Sequence, residues 1–230
     1  MWKAHGSHGR VAGVKSEAKT DLKRELASYR ATRGRFDLIT VPPRQYLMHD
    51  GQGDPNTAPA YLRALGALYP VAYALKFLSK RELDRDYTVM PLEGLWWADD
   101  PELFTTRRDK DAWCWTLMIL VPDWLEPAHV EQARDAAVAK GVDGVGEIRV
   151  GRLDEGLCVQ TLHVGSYDDE ASVLAELHDR VIPDRALRMT GRHHEIYLSD
   201  ARRTAPEKLR TILRQPVEAV SGTSPTAPPR

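Results

Sequence analysis

The sequence predicts an α+β fold in which two strand-helix-strand-strand units build one antiparallel sheet. Three observations predict it. The same order of elements is legible twice along the 230 residues. The corner from strand to helix is echoed, Met48-His49-Asp50-Gly51 in the first half and Leu162-His163-Val164-Gly165 in the second. In each half the strand after the helix carries a glutamate among apolar residues, Glu93 in Pro91-Leu92-Glu93-Gly94-Leu95-Trp96-Trp97 and Glu195 in His193-His194-Glu195-Ile196-Tyr197-Leu198. Two such units side by side place helices on one face of the sheet and leave the other face as a cleft for a ligand.

Taken in order, residues 1–20 are polar and are expected to be a disordered tail. Asp21 to Arg30 has helical character, with Leu22 and Leu26 at i, i+4 spacing and a basic, solvated face. The first unit, about 36–121, opens with a strand from Gln45 to His49. A helix from Thr57 to Lys80 follows, because Tyr61, Leu65, Leu68, Ala72 and Leu75 form an apolar stripe at helical spacing. Strands follow from Tyr87 to Trp97 and from Trp113 to Val121. A helix, Glu126 to Lys140, links the units. The second unit, about 146–215, has strands from Gly146 to Leu153 and from Leu157 to Val164. Its helix runs from Asp169 to Val181, and its strands from His193 to Leu198 and from Leu209 to Leu213. Pro101, Pro122 and Pro127 fall at element ends, where a missing N–H does little harm. Residues 216–230, rich in Pro, Ser, Thr and Ala, are expected to be a flexible tail.

Composition excludes some classes. The net charge of −1 gives no global attraction to nucleic acid or anionic membrane. No run is long enough to span a membrane, and the N-terminus lacks the apolar stretch of a secretion signal, so a cytoplasmic protein is expected. Cys114 and Cys158 sit inside strands and are expected to be reduced thiols; they form no CxxC pair, which speaks against zinc. His193-His194 is a poor metal motif, since adjacent strand residues point to opposite faces. His49 and His163 at the corners are expected to be structural. The fingerprints of nucleotide loops, nucleophile elbows and zinc proteases are absent.

The chemistry concentrates on the strand at 193–198. Alternation puts Ile196 and Leu198 on a core face and His193, Glu195 and Tyr197 on the other. A carboxylate in such a strand needs a partner or a function, because burying a charge is costly. Pseudo-twofold symmetry is expected to aim Glu93 and Glu195 together into the cleft, where at least one becomes a competent general base. Trp96, Trp97, Trp113, Trp115, Tyr87 and Tyr167 are expected to wall that cleft, with His193 at its edge, as a cage for a small, flat, aromatic, drug-like ligand. Glu93 has the alternative of pairing structurally with an arginine or a backbone group.

At these motifs the chain resembles the GyrI-like small-molecule-binding proteins, from about Asp21 to Val217. The likeness is carried by Asp50-Gly51-Gln52-Gly53-Asp54-Pro55, Pro91 to Trp97, His163-Val164-Gly165-Ser166-Tyr167, His193 to Ser199 and Lys208 to Val217. It implies tandem repeats of the SHS2 type over residues 21–215. Within that family the chain is similar to the stand-alone cyclopropanoid cyclopropyl hydrolases. These add water to the cyclopropane of DNA-alkylating antibiotics of the yatakemycin, CC-1065 and duocarmycin type. The resemblance implies that Glu195 and Tyr197 lie at the reacting centre, that Trp96, Trp97 and Trp115 wall the pocket, and that neither metal nor organic cofactor takes part. It leaves Glu93 either positioning the water or tuning Glu195. The stretch ahead of the domain is short for the DNA-binding module of the family's drug sensors, so no direct contact with nucleic acid is expected; dimerisation stays open. The alternative reading is a non-catalytic module that sequesters or senses flat hydrophobic or cationic drugs.

Overall fold

A computed structural model describes residues 18–98 and 109–220. Its strands are β1 (Asp37–Val41), β2 (Arg44–Gln52), β3 (Leu92–Trp97), β4 (Cys114–Leu120), β5 (Arg149–Leu153), β6 (Gly156–Val164), β7 (Leu187–Met189), β8 (His193–Tyr197) and β9 (Arg210–Ala219). They join in the order β1-β6-β9-β8-β3-β4-β2-β5, with β7 on β9. Every strand pairing is antiparallel. The twofold echo in the sequence is therefore real in space: β3 and β8 form the middle, flanked by β4 and β9, then by β2 and β6. The outer strands are exchanged. β1, the first strand of the first unit, pairs with β6 of the second, and β5, the first strand of the second, pairs with β2 of the first.

The helices are α1 (Leu22–Glu25), α2 (Pro59–Glu82), α3 (Pro127–Val138), α4 (Ala171–Ala175) and α5 (Ile182–Asp184). Pro59 starts α2 where its missing N–H is harmless. Lys80 and Arg81 close it where cations suit the helix dipole. Its stripe of Ala64, Ala67, Leu68, Val71, Ala72, Leu75 and Leu78 is buried against the sheet and α3. The second unit's helix is a composite: a 3-10 turn (Tyr167–Glu170), α4, a π-helical turn (Glu176–Val181) and α5. Its Leu177, Val181 and Ile182 pack with Val159, Leu187 and Val217 as a second small core.

Several expectations change at this level. The strand after α2 begins at Leu92 rather than Tyr87, and Tyr87 instead faces Thr20 in an isolated parallel bridge. The last strand runs to Ala219, so residues 216–219 belong to the sheet rather than to a tail. β1 and β7 are additions. The basic stretch at 21–30 forms only one turn of α1 and a 3-10 turn at Ala27–Tyr29. Residues 1–17 and 221–230 of the expected tails lie outside the described residues, as do 99–108 of the loop after β3. Cys114 is half-buried and Cys158 buried, and the two form no disulfide with each other. Among the described residues no helix is long and apolar enough to cross a membrane.

Both helical layers lie on one face, as predicted, but the opposite face is not an open cleft. Tyr46, Met48, Leu95, Met118, Ile196 and Ile212 point to that face, and all are buried. Residues 28–30 reach across it to the side chains of Glu93, Gln160 and Arg214. The large cavity lies elsewhere, on the helical face between the two helical layers.

One glycine is essential to that face. Trp115 is fully buried on β4, and its indole lies flat over Gly51, its partner on β2. A Cβ at residue 51 would stand 2.1 Å from the Trp115 ring carbon Cη2. Gly51→Ala must therefore displace a ring that cannot retreat, and overpacking of this kind costs about 1–3 kcal/mol. The expected result is a lowered thermal midpoint with altered tryptophan emission; an unchanged midpoint would show that the ring finds room.

Candidate active site

A cavity of about 1490 Å³ opens between α2 and the segment 167–179, with β3 and β8 as its floor. This exceeds the roughly 300–1,000 Å³ usual for small-molecule sites. Tyr61, Leu65 and Tyr69 from α2 form one wall, Tyr167, Glu170 and His178 another. Trp96, Glu195 and Tyr197 rise from the floor.

The strand register decides which side chains reach it. Glu195 pairs directly with Gly94, and Glu93 pairs with Ile196. Cross-strand partners share a face, and an offset of one residue sends a side chain to the opposite side. Glu195 thus faces the cavity and Glu93 faces away. Symmetry of sequence suggested two carboxylates in one cleft; the register places one. Gly94 adds a second effect, because a Cβ there would lie 2.7 Å from Trp96 Nε1 and 3.2 Å from the Tyr197 hydroxyl. Its bare backbone lets these two polar heads settle against the strand beside Glu195.

They form a short relay. The Trp96 indole N–H donates to the Tyr197 oxygen at 3.0 Å, and the Tyr197 hydroxyl donates to Glu195 Oε2 at 2.7 Å. The carboxylate is fixed in direction while its side chain stays 13% exposed to the cavity. His193 Nε2 lies 3.6 Å from Glu195 Oε1. The aromatic frame is continuous: Tyr61 stacks on Trp96 at 6.3 Å and meets Trp115 edge-on at 5.4 Å, Trp96 meets Trp113 at 6.0 Å, and Tyr167 meets Tyr197 at 5.6 Å. Burial, then the charge of Glu195, holds the Tyr197 proton on far above the ordinary phenol range. Burial, then Glu170 and Glu195, pushes Tyr167 up to about 12. His178 is driven down to about 4 by burial and by neighbouring His193, so it is neutral at physiological pH.

Of the residues singled out from sequence, Glu195, Tyr197, Trp96, Trp113 and Tyr167 line this cavity. The others do not. Trp115 is covered by Tyr61 and serves as the base of the wall. Trp97 lies on the opposite face under the Arg192 guanidinium, 3.3 Å from its ring centre. Tyr87 is buried against Trp124. His193 is buried beside His178, the histidine that reaches the cavity. Glu93, fully buried, accepts the Tyr29 hydroxyl and meets His194 Nε2 at 3.0 Å. His194 Nδ1 lies 2.8 Å from Glu155, and Arg214 donates to Glu155 at 2.7 Å and to Gln160 at 3.1 Å. Glu93 is therefore structurally paired, but with Tyr29 and His194 rather than with the arginine or backbone group that the sequence suggested; Arg214 holds Glu155 instead. Tyr61, one of the aromatics the sequence offers for such a cage, lines the cavity too; sequence reasoning overlooked Glu170 and His178, and the corner ending at Tyr167 was the only signal near them. Among the described residues, no three His, Cys, Asp or Glu side chains gather so as to hold a metal ion.

A family model for the GyrI-like small molecule binding domain matches residues 35–218. The chain belongs to this GyrI-like family. Among solved structures, a protein from Listeria innocua described as an uncharacterized conserved protein is 38% identical, with a TM-score of 0.79 over 87% of this chain and 100% of that one. A protein described as a hydrolase from Listeria innocua is also 38% identical, with a TM-score of 0.75 over the same shares. The C-terminal domain of EcmrR shares the fold at 13% identity and a TM-score of 0.52, over 81% of this chain and 98% of that one. No curated protein matches the sequence. The family's domain is a small-molecule-binding one, and the aromatic lining of the cavity is of a kind that suits such a ligand.

Proposed function

We propose that this GyrI-like protein is a hydrolase that detoxifies flat, hydrophobic electrophiles by adding water. Antibiotics of the yatakemycin, CC-1065 and duocarmycin type, with their spiro-cyclopropane, are its substrate class. The observation that carries the reading is the Glu195 carboxylate, aimed by Tyr197 and Trp96 into an aromatic cavity. The Listeria protein described as a hydrolase supports it, at 38% identity.

The chemistry follows from the side chains. Indole and phenol faces hold a planar ring system, each well-placed stacking contact adding about 0.5–1.5 kcal/mol beyond burial. The cyclopropane methylene is electrophilic because the ring is conjugated to a dienone carbonyl. Glu195 takes a proton from a water molecule as the water oxygen bonds to the methylene. The cyclopropane C–C bond breaks, and its electron pair moves through the ring to the carbonyl oxygen, giving a phenolate that is then protonated. The product keeps that carbon as an alcohol, lacks the strained ring and cannot alkylate DNA. Glu195 gives its proton to solvent and the site is reset. Glu93 has no part in this step.

The test is turnover. Substoichiometric protein is incubated with a duocarmycin-type cyclopropane and followed by mass spectrometry. The expected result is gain of one water per drug molecule over many equivalents. Protection that stops at one equivalent, with the drug's mass unchanged, would mark a sequestering protein instead.

A further inference from the structure

Tyr197 is badly placed to give a proton to a bound molecule. Its hydroxyl hydrogen already lies on Glu195, and its oxygen takes the Trp96 N–H. The cavity holds another phenol suited to that task. Tyr61, in the first turn of α2, is clamped by Trp96 and Trp115 and lines the cavity with Glu195. Burial, then the nearby charge of Glu195, keeps the Tyr61 proton in place at any working pH. A fixed carboxylate and a neutral phenol thus stand on two sides of one aromatic hollow.

A dienone cyclopropane makes little use of such a pair. The oxygen that collects its charge is several bonds away from the carbon under attack. An acid that shares one cavity with the base fits an electrophile whose departing atom is bonded to the attacked carbon and must be protonated as it leaves. A three-membered ring containing oxygen has this arrangement.

We infer that the cavity also hydrolyses epoxides fused to flat aromatic ring systems, with Glu195 as base and Tyr61 as proton donor; the inference rests on the water-activating role proposed above for Glu195. In the step, water loses a proton to Glu195 and its oxygen bonds to one epoxide carbon. The C–O bond at that carbon breaks, and the alkoxide takes the Tyr61 proton, giving a vicinal trans-diol. The proton gained by Glu195 equals the one lost by Tyr61, and its return through cavity water restores both groups. No oxidant, reductant or further co-reactant enters.

The experiment compares two probes in water enriched in heavy oxygen: the K-region arene oxide of phenanthrene and a simple spiro-cyclopropyl cyclohexadienone. The wild-type protein is expected to convert many equivalents of the oxide to a diol carrying one heavy oxygen. Tyr61→Phe keeps the ring and removes the hydroxyl. It is expected to lower kcat on the oxide by about 10²-fold, the scale of a general acid, with KM changed less than about threefold. On the spiro probe its loss should be at least about tenfold smaller. Hydrolysis of the spiro probe without any diol from the oxide would overturn the epoxide activity while leaving the base in place. No reaction with either probe would overturn both readings. An equal loss on both probes in Tyr61→Phe would make Tyr61 a wall residue and overturn its role as donor.

Discussion

Glu195→Gln is expected to abolish turnover while leaving ligand binding nearly intact. Gln keeps the shape of the side chain, and its carbonyl oxygen can still accept the Tyr197 hydroxyl now held at 2.7 Å. The relay from Trp96 and the aromatic walls should therefore persist. What disappears is the ability to take a proton from water. Loss of a positioned general base costs about 10²–10⁴-fold in rate. The expected signature is a fall in kcat of at least about 10²-fold with KM or Kd changed less than about threefold. Binding is read by quenching of tryptophan emission and turnover by product mass. Turnover at the normal rate would remove Glu195 from the reaction; a collapse of binding with kcat preserved would make it a ligand contact.

The second large effect is on stability and lies on the face away from the cavity. Arg214 is 1% exposed, yet its guanidinium donates to Glu155, to Gln160 and to the carbonyl of Ser28. Arg214→Met leaves Glu155 and Glu93 as two buried carboxylates with only His194 between them. Removing one partner of a buried charge network costs about 3–5 kcal/mol. The variant should unfold at markedly lower urea concentration, and residues 28–30 should become faster in hydrogen exchange. A loss below about 1 kcal/mol would place this network among weak ones. Adding Glu155→Gln to Arg214→Met should recover part of the loss, because the orphaned charge goes with it.

The same network sets a pH window with a definite sign. Burial raises the Glu155 carboxyl, but His194 and Arg214 outweigh it and bring it down to about 2 from an ordinary 4.5. Its contribution is complete above about 4.5 and is lost as pH falls toward 2. Burial lowers His194, yet Glu155 and Glu93 raise it above the ordinary 6.5. Its contribution is complete below 6.5 and is lost as pH rises through the folded-state value. The network is therefore strongest between about 4.5 and 6.5.

What could be read from the sequence was what local alternation controls. The strand at 193–198 has two chemically different sides, and alternation alone places Glu195 and Tyr197 together and His194 opposite. The long apolar stripe of α2 is likewise local. Glu93 could not be placed this way. Leu92 and Gly94 flank it on one side of the strand, and neither side reads as polar, so its direction depends on pairing with a strand about a hundred residues away. β1 and β7 are short and are defined by distant partners rather than by their own pattern. Tyr61 reads both as a member of the helix stripe and as one of the available aromatics, and only the spacing between the two helical layers decides that it lines the cavity.

The traded outer strands carry one more consequence. β1 completes the margin of the second unit, and β5 completes that of the first. Cutting the chain between the units would leave each fragment with an unsatisfied ladder of backbone groups and its finishing piece on the other fragment. The two parts are thus obligate complements, bound by an interlock rather than by simple adjacency. Such an arrangement is what a symmetric pair of identical short polypeptides, each lending an arm to its twin, would become once joined end to end.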